Sequence, residues 1–110
     1  MAIQKSSVTG TFTADGDSDV LECTTGGVLG IDLQRTAGTQ TVALQTSLDG
    51  TNFAQFYDAN GVAVTVGMSA SQPHRRFELL AKGGQQFKLV GSSASSANII
   101  YDMKLVERPV

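Results

Sequence analysis

Acid–base chemistry in this sequence would have to pass through His74, the one histidine of the chain. As a general base it needs a nucleophile presented beside it, and no motif such as G-x-S-x-G presents one. His74 stands in Pro73-His74-Arg75-Arg76, where a strand opens. An exposed side chain is the plain expectation there, and contact with a partner the alternative. The chain is therefore expected not to be an enzyme.

Metal chemistry has one opening. Asp15, Asp17 and Asp19 match the D-x-D-x-D start of a calcium loop, whose alternating carboxylates suit a hard cation. The match ends there, because Val20 stands where the loop needs Gly and Gly26 where it needs a bidentate Glu. An acidic turn, with Asp side chains bonded to nearby backbone N–H groups, is the simpler expectation. Cys23 is the only cysteine, so neither an intrachain disulfide nor a cysteine metal cluster can form within one chain. It is expected to be a small buried apolar side chain.

Anion binding would draw on Arg75 and Arg76, joined by Lys82, Lys88 and Lys104. Adjacent residues of a strand point to opposite faces, so the two arginines cannot line one sheet surface. One solvated arginine and one ion-paired arginine are expected instead. A sugar-stacking platform would need Tyr57, Tyr101, Phe12, Phe53, Phe56, Phe77 or Phe87, but there is no Trp and most of these alternate as core positions. No catalytic, cofactor-binding or metal residue is assigned.

The elements that carry these residues read as strands. Val8, Gly10 and Phe12 alternate with Thr9, Thr11 and Thr13, and a short strand follows over residues 20–24. Leu29, Ile31 and Leu33 face one way, with Gly30, Asp32 and Gln34 on the solvent side. Val42 and Leu44 belong to a neighbouring strand, reached through a flexible loop over residues 35–39 that could serve as a contact surface. Asp49-Gly50 and Asn60-Gly61 mark hairpins, and Gly83-Gly84 marks a third between the strand of Phe77 and Leu79 and that of Phe87 and Leu89. Residues 91–96 read as a small-residue loop before a last strand with Tyr101, Met103 and Leu105 on its inner face.

No segment holds a helical period, and no internal repeat is found. The expected fold is all-β: an antiparallel β-sandwich, jelly-roll or immunoglobulin-like, of about eight or nine short strands. At 110 residues one core is expected. The divisions are a flexible N-terminal arm over residues 1–7, a single sandwich domain over 8–107 and a tail over 108–110. With 41% hydrophobic and 16% charged residues, the surface is poor enough in charge that neighbours are expected to cover part of it. A net charge of −2 and a pI near 5.1 argue against charge-driven binding of nucleic acid or anionic lipid. The start of the chain lacks the apolar run of a secretory signal, and no stretch approaches a membrane span. The protein is expected to be made in a cytoplasm and to remain soluble.

Gly27-Val28-Leu29-Gly30-Ile31-Asp32-Leu33 and the later Thr41-Val42-Ala43-Leu44-Gln45-Thr46-Ser47-Leu48-Asp49-Gly50-Thr51-Asn52-Phe53, together with Arg76-Phe77-Glu78-Leu79-Leu80 and the segment Gly84-Gln85-Gln86-Phe87-Lys88-Leu89-Val90, carry a resemblance. The pattern resembles small β-sandwich structural proteins of tailed bacteriophages, in which a strand ending in Ser-x-Asp-Gly precedes an aromatic. The resemblance implies a virion protein made in the host bacterial cytoplasm. It would be a decoration or cement protein on the capsid surface, homo-oligomeric and trimeric, bridging major-capsid subunits, with no cofactor. A tail, neck or fibre module, or a cell-surface adhesin domain binding glycan, is the alternative.

Overall fold

The computed structural model describes residues 4–107, all of whose regular structure is β. In chain order the strands are β1 (Gln4–Phe12), β2 (Gly16–Asp17), β3 (Leu21–Glu22), β4 (Gly27–Ser47), β5 (Ala54–Gln55), β6 (Thr65–Met68), β7 (His74–Ala81) and β8 (Gln86–Glu107). Two of these dominate. β4 has 21 residues and β8 has 22, and at a rise of ~3.3 Å per residue each would run about 70 Å if straight. The longest dimension of the molecule is 43 Å, so both strands must bend.

They bend together. β4 and β8 pair antiparallel from Gly27↔Glu107 to Ser47↔Gln86, with register shifts confined to residues 35–41 of β4. On one side of the bend, the first half of β4 and the last half of β8 are flanked by β7 and β1. On the other, β8 is flanked by β2 and β3, and β4 by β5 and β6. The result is two sheets, each four strands wide, in the orders β1-β8-β4-β7 and β2/β3-β8-β4-β5/β6, that share their two central strands.

Each strand or half-strand is followed in sequence by one in the other set, except that the second half of β4 turns back through a hairpin onto β5 in its own set, and that β2 and β3, like β5 and β6, are pieces of one interrupted edge. This is jelly-roll connectivity. An immunoglobulin-like sandwich, the other expectation, pairs consecutive strands through hairpins within each sheet. The antiparallel all-β fold stands as expected, with a different inventory: two long shared strands replace several short ones. Residues 35–39 and 91–96, expected as loops, lie inside β4 and β8. Small polar side chains there reflect strand segments exposed while they cross between sheets. The Gly83-Gly84 turn joins β7 to β8 without pairing them, since β7 pairs with β4, so it is a crossing and not a hairpin. Nor do residues 4–7 form an arm, because β1 begins at Gln4 and pairs along its length with β8. The remainder of that arm, residues 1–3, and the tail over 108–110 lie outside the described residues.

Alternation places the core. Leu29, Ile31 and Leu33 are buried before the bend of β4 and Val42 and Leu44 after it, so the buried parity changes from odd to even across the bulges. In β8 it does not change: Phe87, Leu89, Ile99, Tyr101, Met103 and Leu105 are all buried. These side chains form one cluster with Phe12, Leu21, Cys23 and Met68. Phe12 lies 4.6 Å from Tyr101 between ring centroids, and Phe56 lies 6.0 Å from Phe87. Glu107, the last residue of β8, is buried. Its carboxylate accepts the backbone N–H groups of Thr24 and Thr25 and the Thr24 hydroxyl. Burial acts to raise its pKa, and these hydrogen bonds outweigh it and hold the carboxyl below its ordinary value.

At the bend, Gly38 has φ +65°, and the Arg35 Nε–H donates to its carbonyl at 2.6 Å. A methyl group built on Gly38 would overlap the carbonyl oxygens of Ser95 and Ser96 in the facing bend of β8. Gly38→Ala is expected to cost about 2 kcal/mol or more of unfolding free energy, through backbone strain and this overlap. Gly67→Ala, in open space on β6, is the comparison and is expected to change stability by less than about 0.5 kcal/mol. Urea unfolding of the two variants measures the difference.

Candidate interaction surface

The edges of the two sheets are built differently. In the second sheet both edges are broken. Ser18 to Val20 interrupt one, where the Ser18 hydroxyl accepts the Leu89 backbone N–H at 2.8 Å. The other is interrupted by a hairpin over residues 57–63, closed by Asp58 and Val62. The Gln55 side-chain amide fills the gap by donating to the carbonyls of Leu44, Phe56 and Val64. Short, interrupted edges resist pairing with another chain. The first sheet ends in two regular edges, β1 and β7. Among the described residues β7 pairs only with β4, and no backbone hydrogen bond reaches its far side.

β7 presents two faces. His74, Arg76, Glu78 and Leu80 point outward, while Arg75, Phe77 and Leu79 are half-buried on the inner side. The outward residues sit in registered rows with β4 and β8: Arg76 beside Asp32 and Asp102, Glu78 beside Gly30 and Lys104, Leu80 beside Val28 and Val106. Asp32 and Asp102 are thus like charges directly opposed. His74 Nε2 and Arg76 Nη2 meet the Asp32 carboxylate at 2.5 and 3.3 Å and offset that repulsion. Burial tends to raise the Asp32 pKa, and the bonds to His74 and Arg76 prevail and lower it. Glu78 has no ion-pair partner among the described residues.

Along its inner side β7 borders a groove. Phe56, Val64, Val66, Phe77 and Leu79 form its apolar floor, where the two sheets part beside the residue 57–63 hairpin. Leu80, at its rim, is 77% exposed, and Tyr57 and Val62 in the residue 57–63 hairpin are each 59% exposed. Val28 and Val106 stand in the same row as Leu80 and are exposed as well, so the β7 side carries a contiguous row of exposed apolar residues.

The other residues singled out in the sequence are dispersed. Asp15 accepts the Ala94 backbone N–H at 2.8 Å and Asp17 pairs with Lys88 Nζ at 2.7 Å, so these two carboxylates of the acidic turn meet separate partners in β8. Lys88 also lies 4.6 Å over the Phe53 ring. Arg75 and Arg76 diverge to opposite faces as expected, with Arg75 bonded to Gln72 Oε1 at 3.1 Å and Arg76 ion-paired to Asp32. Cys23 is buried, and burial raises its thiol above the ordinary value. Of the aromatics, Phe12, Phe87 and Tyr101 are core, so they share no platform with exposed Tyr57.

Ser47-Leu48-Asp49-Gly50 closes on itself. The Asp49 carboxylate accepts the Thr51 and Asn52 N–H groups at 2.8 Å each, bonds that lower its pKa, and the Ser47 hydroxyl accepts the N–H of Gly50 at 3.0 Å. That motif shapes a turn. The surface around Leu80 was not visible in the sequence, because Leu79-Leu80 reads as ordinary strand alternation until β7 is known to be an edge.

No protein-family model matches the sequence, and no curated protein matches it. If the apolar β7 side contributes nothing to folding, Leu80→Ser should leave unfolding free energy within about 0.5 kcal/mol of the wild type. Leu44→Ala in the core should cost about 3 kcal/mol. Parallel urea titrations test the contrast, and a large loss in Leu80→Ser would show that Leu80 supports the fold itself.

Proposed function

We propose that this chain is a non-catalytic structural protein of a tailed-phage virion, in its narrowest form a capsid decoration protein that bridges major-capsid subunits. The observation that carries this reading is the regular, unpaired β7 edge bordered by an apolar groove and exposed apolar side chains, a surface suited to contact with protein. Jelly-roll connectivity supports it by analogy of fold, since viral capsid and lectin domains share that architecture. The pattern through Ser47-Leu48-Asp49-Gly50 and Phe53 supports it by resemblance. In this role the protein works on the capsid surface as a homo-oligomer, without a cofactor, and its net charge of −2 gives it no general pull toward nucleic acid.

A tail, neck or fibre module that binds glycan is the second reading, favoured by Tyr57 standing exposed beside the residue 57–63 hairpin. Purified protein mixed with undecorated phage capsids should co-sediment and saturate at a fixed number of copies per capsomer. Absence of association at micromolar protein would overturn the decoration role, and glycan-array binding lost in Tyr57→Ala would support the second reading in its place.

A further inference from the structure

The geometry points to a second copy of this chain as the occupant of the β7 edge, paired antiparallel with β7 about a two-fold axis at Phe77. The inference rests on the edge and its charges, and it stands whether or not the protein decorates a capsid.

Register decides the matter. A two-fold axis through Phe77, normal to the sheet, pairs residues 74–80 of one strand with 80–74 of the other and keeps the outward faces of both copies on the same side. Arg76 then lies opposite the partner's Glu78, and Glu78 opposite the partner's Arg76, so two opposite-charge pairs form directly across the seam. Neighbouring face-matched registers lose this. Centring on Arg76 sets that arginine against its own copy, and centring on Glu78 does the same with the glutamate. An axis between two residues turns one copy's outward face to the other's groove side. The Phe77 register therefore combines long overlap with charge complementarity.

The remaining side chains agree. On the inner side Phe77 meets the partner's Phe77 and Leu79 meets the aliphatic stem of the partner's Arg75. Each copy's inward side chains would enter the apolar groove of the other, adding hydrophobic area that a strand seam alone lacks. Glu78, without an ion-pair partner among the described residues, gains one. Outward, the row of Leu80, Val28 and Val106 extends next to the partner's His74. β1, the other regular edge, offers Ser7, Thr9 and Thr11 outward, and its described side chains, residues 7–12, carry no charge.

Light scattering and native mass spectrometry on the wild-type chain should show a dimer that dissociates on dilution. Glu78→Arg and Arg76→Glu each turn both charge pairs into like-charge pairs, and each should weaken self-association by about tenfold or more. An equimolar mixture of the two variants should form heterodimers, because opposite charges face one another again. Thermal unfolding confirms that each variant is folded, and Glu78→Lys repeats the test without touching the Asp32 cluster. A wild-type monomer at high micromolar concentration would overturn the inference. So would a trimer, the state implied by the resemblance, a dimer indifferent to Glu78→Arg and Glu78→Lys, or a variant mixture that stays monomeric. A charge-dependent dimer that ignores capsids would leave this inference intact and remove the decoration role.

Discussion

Pairing of β4 with β8 along their whole lengths is the interaction on which the molecule depends. Every other strand attaches to one of these two. Because each is too long for the molecule when straight, the ribbon they form must fold over, and its two halves become the centres of two facing sheets. The fold-over has a local cost. Ser93 and Ser96 take left-handed backbone conformations, at φ 56° and 49°, each costing about 1 kcal/mol or more for an L-residue. Gly38 in the facing bend of β4 lets the two chains approach where a side chain would collide with carbonyl oxygens. Burial of the core cluster on both sides of the bend offsets these local costs.

The same ribbon determines what is left over. Away from the bend, the central strands are flanked by strands on both sides, so the unpaired groups move to the edges. In the second sheet those edges are broken into short pieces whose gaps are filled by Ser18 and Gln55. In the first sheet they are left long. Of the two, β7 joins a regular edge to an apolar groove and to alternating charge, and this concentrates a capacity for contact on one side of the domain. The account of function rests on that asymmetry and not on a pocket, since the charged residues of greatest chemical interest are engaged in holding turns and strand rows.

Much of this was legible in the sequence, and the parts that were not share a cause. Alternation identified the buried faces of Leu29 to Leu33, Phe87 to Leu89 and Tyr101 to Leu105, because inward and outward neighbours differ in polarity within a half-buried strand. Asp49-Gly50 and Asn60-Gly61 announced turns through their need for positive φ, and Gly50 and Gly61 both have it. Connectivity stayed hidden. A strand passing from one sheet to the other is exposed at the crossing, so residues 35–39 and 91–96 carry the polar, small composition of loops while remaining strand. Gly83-Gly84 looks the same whether the chain turns within a sheet or crosses between sheets. The candidate surface inherits this limit: His74 could be seen as a contact residue, but Leu80 gains meaning only when pairing shows that β7 is an edge.

Residue-resolved amide hydrogen exchange across a dilution series tests the central claim, that a self-satisfied β4–β8 ribbon leaves β7 as the surface for assembly. Amides of the ribbon should be protected at every concentration. Those on the outer side of β7 should exchange rapidly in dilute protein and gain protection as concentration rises. Protection at β7 that does not change with concentration, or a gain that appears on β1 instead, would contradict the account.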